Sequence, residues 1–470
     1  MRTSRLVAAG VVATLTLLAS SCRVGPRYRR PAVNVPTEYR GEFSDTARKE
    51  SLGDERWSAI FRDETLRTLI ARALRQNWDV RIAAARVLQA RAQLTITRAD
   101  QFPTVAADAS ATRARTPASA RGDFTLPAST DDTYQLGMNL SWEVDFWGKF
   151  RSATEAERAN LLAARWAERA VLVSVVSQVA QGYFTLRALD LQLAIARRTL
   201  AAREESLRIT RVQEQVGAVS MLDVRQAEQL VYTAASIITN TERQITQQEN
   251  AIRVLLGQNP GRVPRGLPLT EQPEPASVPA GLPSSLLERR PDIRRAEQLL
   301  VAANARIGVA KAALFPAITL TAAGGVQSNA LSSLLDASAI FWSVSAGLVQ
   351  RVFDAGRLKA TVRLTEAQRL EQLYVYRQTI QEALREVSDA LVGYQKTREL
   401  RRQLTELVAS TADAARLSDI RYRGGVASYL EVLTSQTSFF DAELDLVQAR
   451  LDEQLALVQL YAALGGGWQP

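Results

Sequence analysis

Few side chains in this sequence could carry out bond chemistry. There is no histidine, and Cys22 is the only cysteine. That removes disulfides, a Cys/His zinc site and any histidine-based triad or general base. Paired acids such as Asp131-Asp132 stand in a polar stretch, and no nucleophile–base set accompanies them. No catalytic residue, metal site or cofactor is therefore expected, and the chain reads as a non-enzyme. Two features remain: a lone thiol that could be acylated, and a pair of acids at matched positions. Asp223 and Glu431 each lie six residues beyond a glycine (223 − 217 = 6; 431 − 425 = 6). At the start of a helix such acids favour the dipole by a few tenths to about 1 kcal/mol.

The thiol closes an export signal. Arg2 and Arg5 precede an uncharged apolar run, Leu6 to Leu18, too short to span a bilayer as a stable helix. The run ends in Leu18-Ala19-Ser20-Ser21-Cys22, small residues before a cysteine, as in a bacterial lipobox. Residues 1–21 are read as a signal peptide and Cys22 as the lipidated first residue of the mature chain. A lipid there tethers the chain to a leaflet, though less firmly than a spanning element. Arg23 stands where an aspartate tends to mean retention in the inner membrane, so the sequence points to the outer membrane.

The formal charge of +9 raises the question of nucleic acid. Arg and Lys are, however, scattered among Glu and Asp along the helical segments rather than clustered with aromatics, which argues against it.

The elements that must position these residues form a tandem repeat. Asp79-Val80-Arg81 matches Asp292-Ile293-Arg294, and Phe102-Pro103 matches Phe315-Pro316, both at an offset of 213 (292 − 79; 315 − 102). Gly148 matches Gly356, Gly217–Val224 matches Gly425–Val432, and Leu256-Gly257 matches Leu464-Gly465, all at 208 (356 − 148; 425 − 217; 464 − 256). Each copy reads helix, two strands, long helix, turn, helix. In the first, a helix is expected over about Glu64 to Asp100, stopping before Phe102-Pro103. Val105, Ala107, Ala109 and Ala111 then alternate with polar residues. A polar loop is expected from Arg115 to Asp132, followed by a strand from Tyr134 to Phe146 whose even positions are apolar and odd positions polar or small. From Lys149 to about Gln215 there is no proline and one glycine, Gly182, which predicts a helix roughly 100 Å long at about 1.5 Å per residue. The second copy repeats the pattern, with strand alternation from Ile318 and from Ile340. The uncharged window Ala312–Leu335 could be mistaken for a spanning helix, but Pro316, Gly324-Gly325 and its polar content argue otherwise. The resulting layout is a signal peptide over 1–21, a lipid-anchored strap over 22–61, a first repeat over 62–257 with strands within 104–147, a Pro-rich linker over 258–285, and a second repeat over 286–470 with strands within 317–354.

Four strands of this length can cross a bilayer at the usual tilt but cannot close a barrel, and open edges are not tolerated in lipid. Three copies supply about twelve strands, enough to surround a wide lumen. The expected fold class is mixed α and β: a trimeric 12-stranded transmembrane β-barrel continued by a long α-helical coiled-coil tunnel, periplasmic by the family resemblance given next.

The motifs resemble one family throughout the mature chain, the TolC/OprM/NodT-like outer-membrane efflux factors. The resemblance rests on Cys22 to Pro31, Ser141-Trp142-Glu143-Val144-Asp145-Phe146-Trp147-Gly148, Glu288-Arg289-Arg290-Pro291-Asp292-Ile293-Arg294 with Phe315-Pro316, Phe353-Asp354-Ala355-Gly356-Arg357, and the two turns. It implies a homotrimeric, passive exit duct in the outer membrane, served by a periplasmic membrane-fusion adaptor and an inner-membrane pump, often of the resistance-nodulation-division class. It implies that the turns Gly217, Ala218, Val219, Ser220 and Gly425, Val426, Ala427, Ser428 form the periplasmic tips where the adaptor docks. It also implies a gate near those tips, with Glu431 at an acidic gate position, Asp223 its counterpart, and Tyr422 at the network tyrosine. Thr434 and Ala427 depart from the family pattern, standing where a second acid and a linking arginine can occur.

Two other readings compete. The outer-membrane component of a type I protein secretion system would share the duct. A periplasmic coiled-coil scaffold would explain the helices but not the duplicated alternating strands.

Overall fold

A computed structural model describes residues 24–40, 51–121, 124–273, 279–466 and 468. Cys22 lies outside them. The major elements are α1 (Glu64–Gln76), α2 (Trp78–Ala99), β1 (Thr104–Thr116), β2 (Ser129–Glu143), α3 (Lys149–Gln215), α4 (Met221–Leu255), α5 (Pro291–Ala312), β3 (Ala317–Ser328), β4 (Ile340–Val349), α6 (Arg357–Arg423) and α7 (Tyr429–Ala463). The duplication extends to their bounds. Helices α3 and α6 have 67 residues each and begin 208 apart (357 − 149). Helices α4 and α7 have 35 each, also 208 apart (429 − 221). Helices α2 and α5 have 22 each, 213 apart (291 − 78).

Several expectations need correction. The helix expected over Glu64–Asp100 is broken at Asn77. The Asn77 side-chain oxygen accepts from the N–H groups of Asp79 and Val80, at 2.8 and 3.2 Å, and its amide donates to Leu255 O at 2.9 Å. This is an N-cap inserted between two helices and held from outside. The polar loop expected over Arg115–Asp132 is shorter: β1 runs to Thr116, β2 starts at Ser129, and a small hairpin (Ser119–Arg121 with Phe124–Leu126) lies between. Strand β2 ends at Glu143, not Phe146. The strap contains a 3-10 turn at Leu52–Asp54 and a helical turn at Trp57–Ile60. Among the described residues no helix is long and apolar enough to cross a membrane; the window Ala312–Leu335 holds a helix end, then β3.

The chain divides into two compact units. The first takes in residues 24–31 with Leu88–Ala163 and Glu297–Val375, and contains the whole antiparallel sheet, ordered β1-β2-β3-β4. Its two faces differ as the alternation requires. Val105, Met138, Trp342, Val344 and Leu348 are exposed on one face. On the other, Asn139 and Gln135 donate to Asp108, at 2.6 and 3.5 Å. An apolar face this large is not left to water. At the base of the sheet Trp147 stacks on Phe315, ring centres 4.6 Å apart, and its indole N–H donates to Pro316 O at 2.9 Å. The strap is fastened in the same unit: Val24 N–H donates to Trp147 O at 3.4 Å, Asn304 to Pro26 O at 2.9 Å, and Arg30 pairs with Glu297 at 3.0 Å.

The second unit takes in Ala32–Val87, Ala164–Ala296 and the chain from Tyr376. Its core gathers Val175, Val176, Val179, Tyr183 and Leu186 of α3 with Ile252 of α4 and Leu460 and Tyr461 of α7. Gly182 explains itself here. A Cβ there would meet Ile252 Cγ1 at 3.2 Å, and the Gly182 carbonyl accepts from Gln248 at 2.9 Å, so the missing side chain admits α4. The Pro-rich linker, where described, is tied to this core by charge. Buried Asp63 accepts from Thr65 N–H and Leu66 N–H, which caps α1, and from Tyr183 hydroxyl at 2.7 Å, Leu267 N–H at 2.9 Å and Gln272 at 3.1 Å. Burial alone would raise its pKa, but these bonds hold it below the ordinary aspartate value. Burial, and then the bond to Asp63, push the Tyr183 hydroxyl up. Arg265, two residues before Leu267, bridges Glu249 of α4 and Asp190 of α3.

Candidate functional site

The two helix turns are built alike. At the end of α3, Gly217 has φ +73°, with Gly217 N–H donating to Glu214 O (2.9 Å) and Ala218 N–H to Gln213 O (2.8 Å). At the end of α6, Gly425 also has φ +73°, with Gly425 N–H donating to Tyr422 O (2.9 Å) and Val426 N–H to Arg421 O (3.0 Å). Both are left-handed glycine caps that satisfy the last carbonyls of a helix, a conformation that favours glycine. Ser220 and Ser428 then enter α4 and α7 in extended conformation. Val216, Met221 and Leu222 about the first turn, and Val426 and Leu430 about the second, are all more than half exposed.

The helices that flank the turns share one cluster. Leu207 of α3, Val224 and Ala227 of α4, and Tyr429 and Val432 of α7 are buried together, with Val231 and Tyr422 packed against them. The rings of Tyr422 and Tyr429 meet at 5.4 Å and 63°. A cleft of about 280 Å³ opens here, lined by Thr210, Gln213, Asp419, Tyr422, Tyr429 and Gln436 among others. Deeper in, Arg203 is buried; it donates to Leu230 O at 2.9 Å and lies 4.8 Å from the Phe440 ring centre.

The three residues assigned to a gate have different partners. Tyr422 hydroxyl donates to Gln213 Oε1 at 3.1 Å, joining α6 to α3. Burial, then the nearby Asp223 carboxylate and Tyr429, push that hydroxyl above the ordinary tyrosine range. Glu431 accepts from Arg421 Nε at 2.9 Å, across the turn between α6 and α7. Asp223 accepts from both the N–H and the hydroxyl of Ser220, at 2.8 Å each, so it closes the N-terminus of α4. Thr434 bonds back to Leu430 O in its own helix. Sequence reasoning missed Gln213 and Arg421. The signal for Arg421 was available, as a basic residue in the last turn of α6. None existed for Gln213, which lies 209 positions from Tyr422.

Residues 69–258 and 282–466 match the family model described as outer membrane efflux protein. The chain belongs to that family. Two curated relatives span nearly its whole length. The cation efflux system protein CusC of Escherichia coli O6:H1 (strain CFT073) is 35% identical over 460 residues, covering 97% of this chain and 98% of the relative. The antibiotic efflux pump outer membrane protein ArpC of Pseudomonas putida is 36% identical over 461 residues, covering 97% and 95%. Among solved structures, the open state of the Neisseria gonorrhoeae MtrE outer membrane channel superposes with a TM-score of 0.86 at 30% identity, covering 95% of this chain and 99% of that one. This efflux protein is thus an outer-membrane component of an efflux system, with the fold of outer-membrane channels and extending into the periplasm.

Proposed function

We propose that the protein is the passive exit duct of a tripartite efflux system, working as a homotrimer with a periplasmic membrane-fusion adaptor and an inner-membrane pump of the resistance-nodulation-division class. It conducts drugs or other small molecules to the exterior. The observation that carries this reading is the four-stranded sheet, whose edges at β1 and β4 are unpaired among the described residues and whose one face is apolar and exposed. Such a sheet is stable in lipid only when copies close it into a ring. Three copies give the twelve-stranded barrel, with apolar faces to lipid and the Asp108 face to water.

The adaptor docks on the turns Gly217–Ser220 and Gly425–Ser428. Their near-identical caps and exposed apolar flanks support this, because the second repeat presents again what the first presents. The duct narrows near the same turns, where Tyr422–Gln213 and Arg421–Glu431 fasten α6 to α3 and to α7. Asp223 acts there through Tyr422 and Ser220. In a trimer Glu431 contributes a ring of negative charge, which favours cations in a pore. Cys22 carries the lipid. The strap bond at Val24 to Trp147 supports an anchor at the foot of the sheet.

The test is detergent extraction followed by planar-bilayer recording. The duct should require detergent, show mixed helix and strand by circular dichroism, run as a heat-labile trimer and open a conductance. A soluble, non-conducting monomer would overturn the reading.

A further inference from the structure

The seam between copies can be read from the seam inside one copy. This rests on the trimeric reading above. Within the chain, the second strand of repeat one (β2) pairs with the first strand of repeat two (β3). In a closed ring, the second strand of repeat two (β4) must pair with the first strand of repeat one (β1) of the next copy. The two seams are therefore equivalent under the duplication, provided its offsets hold for the strands.

They do hold. Thr104↔Ser141 in the β1–β2 hairpin becomes Ala317↔Val349 in the β3–β4 hairpin (317 − 104 = 213; 349 − 141 = 208). Thr112↔Thr133 likewise becomes Gly325↔Phe341 (325 − 112 = 213; 341 − 133 = 208). Applying the same offsets to the β2–β3 register moves Gly137↔Gly325 to Ser345↔Thr112, Met138↔Gly324 to Ala346↔Ala111, and Leu140↔Ala322 to Leu348↔Ala109.

We infer that β4 of one copy pairs antiparallel with β1 of the next in this register, with Ser345 opposite Thr112. Two independent observations agree. First, the register sets apolar face against apolar face, since Leu348 falls opposite Ala109 and Ala346 opposite Ala111. A slip of one residue would turn Trp342 and Val344 to the polar side. Second, both edges carry unused apolar surface at one end of the seam. Inside the chain, Trp147 covers Phe315. The counterpart of Phe315 is Phe102 (315 − 213), which is 58% exposed, and the counterpart of Trp147 is Ala355 (147 + 208). Phe353, 90% exposed, follows the end of β4, and continuing the inferred register past Val349 sets it opposite Thr104, two residues from that Phe102. Phe353 of one copy then covers Phe102 of the next, in place of the missing indole.

A cysteine scan tests this in the full-length protein, where Cys22 is the only native cysteine and wild type serves as control. Ser345→Cys is held constant and paired in turn with Ser110→Cys, Thr112→Cys, Ala114→Cys and Thr116→Cys. Directly opposed strand positions lie within disulfide reach, whereas neighbours two residues along lie at or beyond its limit. After oxidation in membranes, the Thr112 pair should shift the protein from one-chain to three-chain species on non-reducing gels, and the others should lose that shift. Ala346→Cys with Ala111→Cys repeats the test on the opposite face, in case one site perturbs assembly. A maximum at another partner would overturn the register while leaving the trimer standing. Absence of cross-linking in every pair, alongside heat-labile wild-type trimers, would overturn the seam itself. Wild type found only as a monomer would instead remove the trimeric reading on which the inference rests.

Discussion

Tyr422→Phe should open the duct more than Glu431→Gln, and the structure gives the reason. The substitution removes one hydroxyl and keeps the ring, so packing against Tyr429 and the Leu207–Val432 cluster survives. What is lost is the hydrogen bond to Gln213 at 3.1 Å, between two half-buried side chains. A bond of that kind contributes about 1 kcal/mol net. With three copies around one pore and concerted opening, the closed state loses about 3 kcal/mol, which is about a hundredfold in the ratio of open to closed. The Arg421–Glu431 pair is of a different order. Its side chains are 55% and 42% exposed, and exposed pairs contribute about 0.2–1 kcal/mol before screening. Three such pairs give about 1.8 kcal/mol at the middle of that range, or roughly twentyfold. Planar-bilayer recordings of purified trimers should therefore show a large rise in basal conductance for Tyr422→Phe. Glu431→Gln should show a smaller, salt-sensitive rise together with weaker cation preference. Equal conductance of Tyr422→Phe and wild type would refute the assignment of the Tyr422–Gln213 contact to closure.

Three further outcomes are expected. A Cβ added at Gly217 or Gly425 has open space around it, with nothing beyond its chain neighbours within 4 Å, so Gly217→Val and Gly425→Val cost mainly left-handed strain of about 1–2 kcal/mol; trimers should remain intact in gels while efflux from cells fails, and normal efflux would count against docking at the turns. Cys22→Ser should lose all label in cells fed a radioactive fatty acid, and retained label would end the acylation claim. Asp63→Ala should leave the Tyr183 hydroxyl and Leu267 N–H without their acceptor, at about 3 kcal/mol or more, which hydrogen exchange over residues 262–272 should register as lost protection. Because the Asp63 carboxyl is held below its ordinary value, its contribution is full at neutral pH and disappears as pH falls through and below about 3.9; a wild-type exchange profile unaffected by that acid range would contradict it.

Much of this architecture is local and can be read along the chain. Alternation in β1–β4 sets the faces of the sheet because side chains in a strand point to opposite sides, whatever the strand pairs with. The duplication is legible because two copies of one motif must cap and turn in the same way: Gly217 and Gly425 recur because both positions need positive φ. Even the break between α1 and α2 was half visible, since Pro291 marks the equivalent place in the second repeat (291 − 78 = 213). In the first repeat no proline stands there. The break depends on Asn77 turning its side chain to its own backbone and to Leu255, which is 178 residues away. The sheet order is of the same kind: β2 and β3 are separated by α3, α4, the linker and α5, and no periodicity in either strand names the other. Tertiary structure alone decided which charges and hydroxyls meet, such as Tyr422 with Gln213 and Asp63 with Tyr183, Leu267 and Gln272. Periodicity reports which face of an element is buried; a hydrogen bond needs a particular atom within about 3 Å, and that depends on how distant segments are brought into register.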